Sequence, residues 1–257
     1  MKNLITDEGA ATLAATYGPL ASSSNALTRH EASVQLGLLA WRSGDAAAMR
    51  AHLGAAVQDG LDVAEALART DAPSPSGSSV TQTQSGHTIR VQSLEPSLDA
   101  KLLVLLTVSV GDETQRARVA RLPRRLYVDE ANPGRTRALD ELRAYAGGGA
   151  LDAAAWSEIA QSRDADRSWP LLGQPFARAM SAIAEQNEIL AGRTLDFLVQ
   201  NHAWLAHEGE WARLTEGLVS FWGMALVRAA REQGVELSEP TDEHRAWYAP
   251  DLAIVRS

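Results

Sequence analysis

Apolar and polar positions alternate along most of the chain with a period close to 3.6 residues, the period of an amphipathic α-helix. Near the start this pattern is interrupted at Ser43-Gly44-Asp45. Glycine suits the end of one helix, and an aspartate carboxylate can accept the free amide hydrogens that begin the next. The pattern predicts a helical hairpin that turns at Gly44, followed by a third short helix over 61–69. The apolar positions of the hairpin are Leu27, Val34, Leu38 and Trp41 before the turn, and Met49, Leu53, Ala56 and Val57 after it.

The same arrangement, an apolar helix that breaks at Gly-Asp and restarts, returns at Gly111-Asp112. A third helix pair is predicted over 176–202, with a break near Gly192. We therefore expect a single all-α domain over residues 1–257, built from stacked antiparallel helical hairpins in an irregular, repeat-like array. Any all-helical protein reuses such turns, so an unstacked arrangement stays open as an alternative.

Two kinds of segment interrupt the helical pattern. Residues 71–86 are rich in Pro, Ser, Gly and Thr and contain little apolar surface, which predicts a flexible loop. The residues near 80–92 favour extended backbone around Ser85-Gly86, so a short β-hairpin is an additional possibility there.

Three consecutive glycines, 147–149, follow a predicted helix over 136–145. A phosphate-binding loop would need a preceding strand and a Gly-Lys-Ser/Thr ending, and neither is present. The glycines are therefore interpreted as a helix terminator, with Asp152 capping a helix that buries Trp156 and Ile159.

The C-terminal part of the chain carries the longest apolar stripe. Its spacing predicts one core helix of about six turns over 211–231, which Gly234 ends. The stripe consists of Trp211, Leu214, Leu218, Trp222, Leu226 and Ala229.

The composition narrows the classes of protein that fit. With 257 residues, 45% of them apolar and 22% charged, the chain can bury a sizeable core. It contains no cysteine, which excludes disulfides and thiolate chemistry. Asp7 and Glu8 stand where a signal peptide needs an unbroken apolar stretch, and no apolar run is long enough to span a bilayer. A cytoplasmic location without membrane association is expected.

Charge is distributed unevenly. The formal net charge of -8 argues against a nucleic-acid binder, which needs basic surface. Five arginines fall between Arg116 and Arg125, with Arg118, Arg121 and Arg125 at spacings that share a helical face, whereas six acids and one arginine fall between Glu232 and Asp251. These charges either form exposed faces without a role, meet each other in the fold, or steer a basic partner.

The sequence contains no recognisable catalytic or metal-binding motif. His202 and His207 lie about 140° apart around a helix and cannot face one metal ion. Asp164 and Asp166 suggest a carboxylate pair, but the neighbouring Arg163 and Arg167 favour a solvated, self-compensating charge cluster. No nucleophile elbow is present. We expect that the protein is not an enzyme and binds no cofactor or metal. An active site formed by residues that are distant in the sequence is an alternative.

The ending ALVRAAREQGVELSEPTDEHRAWYAPDL resembles the end of the immunity protein 49 family of bacterial polymorphic-toxin systems. The shared elements are a helix that closes at Ala225–Arg231, then Gly234-Val235-Glu236, then Tyr248-Ala249-Pro250. Trp156 and the HAWL segment upstream are also similar to that family. The resemblance implies an all-helical cytoplasmic protein without catalytic residues, which binds and neutralises a toxin domain encoded beside it.

The expected partner is therefore a cognate toxin, blocked by steric occlusion and basic in charge, such as a nuclease or a nucleotide-modifying enzyme. The alternatives are a helical-repeat adaptor that holds a peptide or protein in a groove, or an enzyme with an unrecognised site. Aromatic side chains are frequent anchors at interfaces, and acidic side chains would attract a basic partner. The predicted partner-binding residues are Glu232, Glu236, Glu239, Asp242, Glu243, Trp247 and Tyr248.

Overall fold

A computed structural model describes residues 5–69, 80–84, 87–91, 98–209 and 215–238. Within these ranges the chain forms ten α-helices and one antiparallel β-hairpin, which confirms the all-α class and the short hairpin. The helices are α1 (Asp7–Leu20), α2 (Ala26–Arg42), α3 (Ala46–Arg69), α4 (Ala100–Val110), α5 (Glu113–Ala120), α6 (Pro133–Ala146), α7 (Ala153–Ala160), α8 (Gln174–Ala184), α9 (Glu188–His207) and α10 (Phe221–Glu232). The strands are β1 (Val80–Gln84) and β2 (His87–Val91), with Val80 opposite Val91.

The prediction of a flexible loop over 71–86 falls largely outside the described residues. Positions 71–79 and 85–86 are not described, whereas 80–84 form β1. In the described part of the chain, no helix combines the length and the apolar character that crossing a bilayer requires.

The first predicted hairpin is confirmed, and its turn has the expected chemistry. Gly44 has a φ of +82°, a conformation that glycine adopts without strain. Asp45 accepts a hydrogen bond from the Ala48 amide at 2.8 Å and so caps α3. The prediction of a separate helix over 61–69 is wrong, because α3 runs on without a break. Gly60 is there for close packing, since a Cβ on it would lie 2.7 Å from Leu103.

The second predicted hairpin is also confirmed, whereas the third turns at a different place. Asp112 begins α5 with a reciprocal pair of hydrogen bonds to Gln115. The predicted break near Gly192 is wrong: α8 ends at Ala184, and α9 already contains Gly192. The chain turns instead at Gln186, with a φ of +58°, and Asn187 caps α9.

The apolar faces of the helices meet in one continuous core. Helix α4 packs against α3, α5, α6 and α10, and α8 packs against α7, α9 and α10. An aromatic group joins three of these helices: Phe176 meets Trp156 edge-on at 5.7 Å and Trp222 at 4.7 Å between ring centroids. Burying a large apolar side chain contributes about 1.5–3 kcal/mol, so this group is a major part of the core. As expected, Asp152 caps α7, and Trp156 and Ile159 are buried.

The predicted core helix over 211–231 is not continuous. Residues 215–218 form a 3₁₀ turn, and α10 begins only at Phe221, after Ser220 has accepted a hydrogen bond from the Gly223 amide at 3.1 Å. The 3₁₀ turn packs against both α2 and α9. Trp211 and Leu214 lie outside the described residues.

Candidate protein-binding surface

Glu232, the first of the predicted partner-binding residues, is engaged inside the protein. Its carboxylate accepts hydrogen bonds from Arg116 at 2.6 Å, from Arg228 at 2.9 Å and from the Tyr145 hydroxyl. Burial raises the pKa of Glu232, but the hydrogen bonds from Tyr145 and Arg228, together with the positive charges of Arg116 and Arg228, outweigh that effect and hold the pKa below its usual value. The side chain therefore links α5, α6 and α10.

Four of the five arginines in the arginine-rich stretch also bond to groups of the same chain. The predicted shared helical face is wrong, because α5 ends at Ala120 and Arg125 lies in a separate 3₁₀ turn. One alternative for the charge clusters, that they meet each other, is realised by Arg116 and Glu232. The other bonds of the stretch are Arg118 to Asp62 and Glu65, Arg124 to Asp140, and Arg125 to the carbonyl oxygens of Leu67 and Ala68.

Asp164 and Asp166 bond to the first residues of α6, and they do not form a solvated cluster with their neighbouring arginines. Asp164 accepts hydrogen bonds from the Gly134 amide at 2.7 Å and the Arg135 amide at 2.8 Å, and Asp166 pairs with the Arg135 side chain. Asn132, at the start of α6, gives that helix no side-chain cap. The loop supplies the missing cap from a distant part of the chain, where a negative charge also suits the positive end of the helix dipole.

Two histidines in the described part of the chain are buried, and each bonds to a backbone carbonyl oxygen. His30 Nδ1 lies 2.7 Å from the Ala56 carbonyl oxygen, and His202 Nε2 lies 3.3 Å from that of Gly217. A carbonyl oxygen only accepts, so each ring nitrogen donates. Burial lowers both pKa values, that of His202 to about 4. Among the described residues, no group of three or more His, Asp or Glu side chains is placed to hold a metal ion.

Like Glu232, the other predicted site residue in the described part of the chain, Glu236, is exposed. Its backbone amide donates to Glu188 Oε1 at 3.2 Å, which places it at the N-terminal end of α9. Glu236 thus lies beside α9, whereas the Glu232 carboxylate bonds to side chains of α5, α6 and α10. The remaining predicted residues lie outside the described ranges; they are Glu239, Asp242, Glu243, Trp247 and Tyr248.

A surface that the sequence analysis missed lies on α9. Leu190, Phe197 and Trp204 are 45%, 50% and 50% exposed. They are spaced seven residues apart, so neighbours differ by only about 20° around the helix and lie about 10.5 Å apart along it. We call these three residues the α9 stripe. Ile189, beside it, is 73% exposed.

The opposite side of α9 forms part of the core. Leu195, Leu198 and Val199 are buried there. The helix therefore has two apolar sides. The rest of the fold covers one of them, and the α9 stripe is the other. In the sequence, the stripe could have been detected as apolar residues spaced seven apart beside a second group of apolar residues on the same helix. Periodicity alone does not say which of the two groups the fold buries.

Exposed acidic side chains lie at both ends of the α9 stripe. Glu185, Glu188 and Glu236 are exposed at its N-terminal end, and Glu208 at its C-terminal end. Between the ends, Arg193 and Asp196 are exposed side chains of opposite charge. We refer to these four glutamates as the acidic ends of the stripe.

Comparisons of the chain with protein-family models, with curated proteins and with solved structures find no match. The resemblance to the immunity protein 49 family stays a prediction that rests on the residues quoted above.

Proposed function

We propose that this protein binds a basic partner protein through the α9 stripe. The observation that carries the proposal is the alignment of three large, half-exposed apolar side chains on one helix. Single exposed apolar residues are ordinary on protein surfaces, but aligned ones are typical of interaction sites. Phe and Trp are also frequent in the centres of interfaces, where a few large side chains supply most of the binding energy.

The partner that fits best is a toxin domain encoded by a neighbouring gene, which makes this chain an immunity protein. The sequence resemblance supports that class of partner, and the acidic ends of the stripe suit a basic protein such as a nuclease or a nucleotide-modifying enzyme. Inhibition would be steric: an interface of about 800 Å² on each partner is sufficient to cover an active site.

The test is co-expression with the toxin domain encoded by the adjacent gene. We expect the protein to restore growth and to copurify with the toxin in a fixed ratio. Phe197→Glu places a charge in the centre of the stripe and should abolish both effects. Val128→Glu is the matched control, because Val128 is also exposed, at 44%, and lies in the segment between α5 and α6. Unrescued growth with the unchanged protein would count against immunity.

The acidic residues are tested separately. Reversing the charge at Glu236, Glu239, Asp242 and Glu243 should slow association with a basic toxin more than it speeds dissociation, since long-range attraction acts mainly on the encounter. Unchanged association rates would remove these residues from the interface.

A further inference from the structure

We infer that the partner element that docks on the α9 stripe is an amphipathic helix with basic residues near both of its ends. The inference rests on the proposed function and specifies the chemistry of the partner. Two properties of the surface support it, the linear spacing of the apolar side chains and the position of the charges.

The spacing of the stripe favours a helix over a loop or a compact patch. Leu190, Phe197 and Trp204 form a narrow line about 21 Å long that follows the α9 axis. Side chains that repeat every seven residues meet a second helix crossing at a shallow angle of about 20°, whose side chains fill the spaces between them. Along this face Arg193 and Gln200 are exposed between the apolar residues, so the side chains of a partner helix would pack beside them.

The charges favour a basic partner over a second copy of this chain. In an antiparallel pairing of two α9 helices, Glu188 and Glu236 of one copy would approach Glu208 of the other. In a parallel pairing, each acidic end would face its own equivalent. Both arrangements bring like charges together, which costs free energy at an interface. Lysine or arginine near both ends of a partner helix would instead pair with the acidic ends.

The helix that carries the stripe is packed and bonded to the rest of the fold, and a preformed helix loses less entropy on binding. The core side of α9 is buried, and Asn187 caps its N-terminus by accepting a hydrogen bond from the Leu190 amide at 3.1 Å. At the same end, the Gln186 side chain donates to the Gln233 carbonyl oxygen at 3.3 Å. The helix is thus fixed to the segment that follows α10 before any partner arrives.

The experiment uses the full-length protein and two synthetic helical peptides of about 21 residues, long enough to cover the stripe at 1.5 Å per residue. Both carry leucine at positions a and d of the heptad; one has lysines at both ends and the other has glutamates. Titration calorimetry should show that the lysine peptide binds about tenfold more tightly or better than the glutamate peptide. Phe197→Glu should weaken its binding about tenfold or more, and Val128→Glu should not change it.

Circular dichroism of both variants checks that the helices are retained, and Phe197→Ala provides a milder test at the same position. Three results would overturn the inference: no binding of the lysine peptide, equal binding of both peptides, or binding that neither substitution at Phe197 weakens. A dimer of the unchanged protein that Phe197→Glu converts to monomer would also overturn it, because a second copy would then occupy the stripe.

The inference and the proposed function fail in different ways. If the protein does not neutralise the neighbouring toxin but binds the lysine peptide at Phe197, the inference is supported and the immunity function is not. If it neutralises the toxin and the lysine peptide does not bind, the immunity function is supported and the helical partner is wrong.

Discussion

Arg116 donates a hydrogen bond to Glu232 at 2.6 Å, and this ion pair joins two helices across 116 positions of sequence. The same carboxylate accepts from Arg228, which is only 2% exposed and donates in turn to the Gly111 carbonyl oxygen at 2.6 Å. The turn between α4 and α5 is therefore bonded to α10. Two charge clusters that are distant in the sequence meet in one tertiary contact.

The first prediction concerns this contact. Glu232→Gln should lower the free energy of unfolding by about 2 kcal/mol, because it leaves the buried Arg228 guanidinium without a negative partner. Urea unfolding followed by tryptophan fluorescence measures the change. The control is Glu130→Gln, at an exposed position. If the two variants lose similar stability, the contact is not a major source of it.

The second prediction is a pH dependence that comes from His202. Burial lowers its pKa to about 4, whereas an unfolded histidine has a pKa of about 6.5. Between these values the unfolded chain binds a proton that the folded protein does not, so stability falls as the pH falls. The loss between pH 7 and pH 5 should be about 2 kcal/mol from this residue.

The measurement for His202 is the urea midpoint at pH 7 and at pH 5. His202→Gln keeps a donor for the Gly217 carbonyl oxygen but does not titrate, so it should show a smaller loss between the two pH values. His52→Gln, at a partly exposed position on α3, is the control. A His202→Gln protein with the same pH dependence as the unchanged chain would contradict the assignment.

The third prediction tests the cap that the 164–166 loop gives to α6. Asp164→Ala should destabilise the protein by about 1–2 kcal/mol, since it removes the acceptor for two backbone amides and a favourable charge at the helix dipole. Thermal unfolding measures the change. Arg167→Ala, in the same loop, should have a smaller effect, because Arg167 is exposed and the cap does not include it. A larger loss of stability for Arg167→Ala than for Asp164→Ala would contradict the cap.

The fourth prediction contrasts two glycines. A Cβ at Gly173 would overlap the Trp169 ring, so Gly173→Ala should cost about 2 kcal/mol or more. Gly54 lies inside α3, and a Cβ there would meet no atom within 4 Å. Gly54→Ala should therefore raise stability by about 0.5–1 kcal/mol, because alanine favours the helix. Chemical unfolding of both variants checks the signs, and equal signs would contradict the packing at Trp169.

Helix breaks were predicted correctly where they depend on local chemistry and wrongly where they depend on packing. Asp45, Asp112 and Asp152 cap their helices as expected, because an aspartate side chain bonds to amides two or three residues away. Gly60 and Gly192 resemble helix ends in the sequence. Both lie inside helices. A Cβ on Gly60 would lie 2.7 Å from Leu103, so glycine serves close packing there, whereas a Cβ on Gly192 would meet Ser238 at an ordinary 3.4 Å.

For the predicted binding site, too, local sequence features were predicted correctly and tertiary contacts were not. The sequence showed that Glu232 belongs to an acidic region, but not that three neighbours from other helices would bind its carboxylate. Conversely, Phe197 and Leu198 are adjacent apolar residues on one helix, and only the fold makes the first exposed and the second buried.

The sequence by itself determined the helical class and the capped turns and allowed the short β-hairpin, since these depend on periodicity and on bonds between residues a few positions apart. The tertiary structure decided which charges pair across the fold and which side of α9 remains uncovered. The physical reason is that burial and ion pairing depend on elements that are far apart in sequence, and periodicity carries no information about which elements meet.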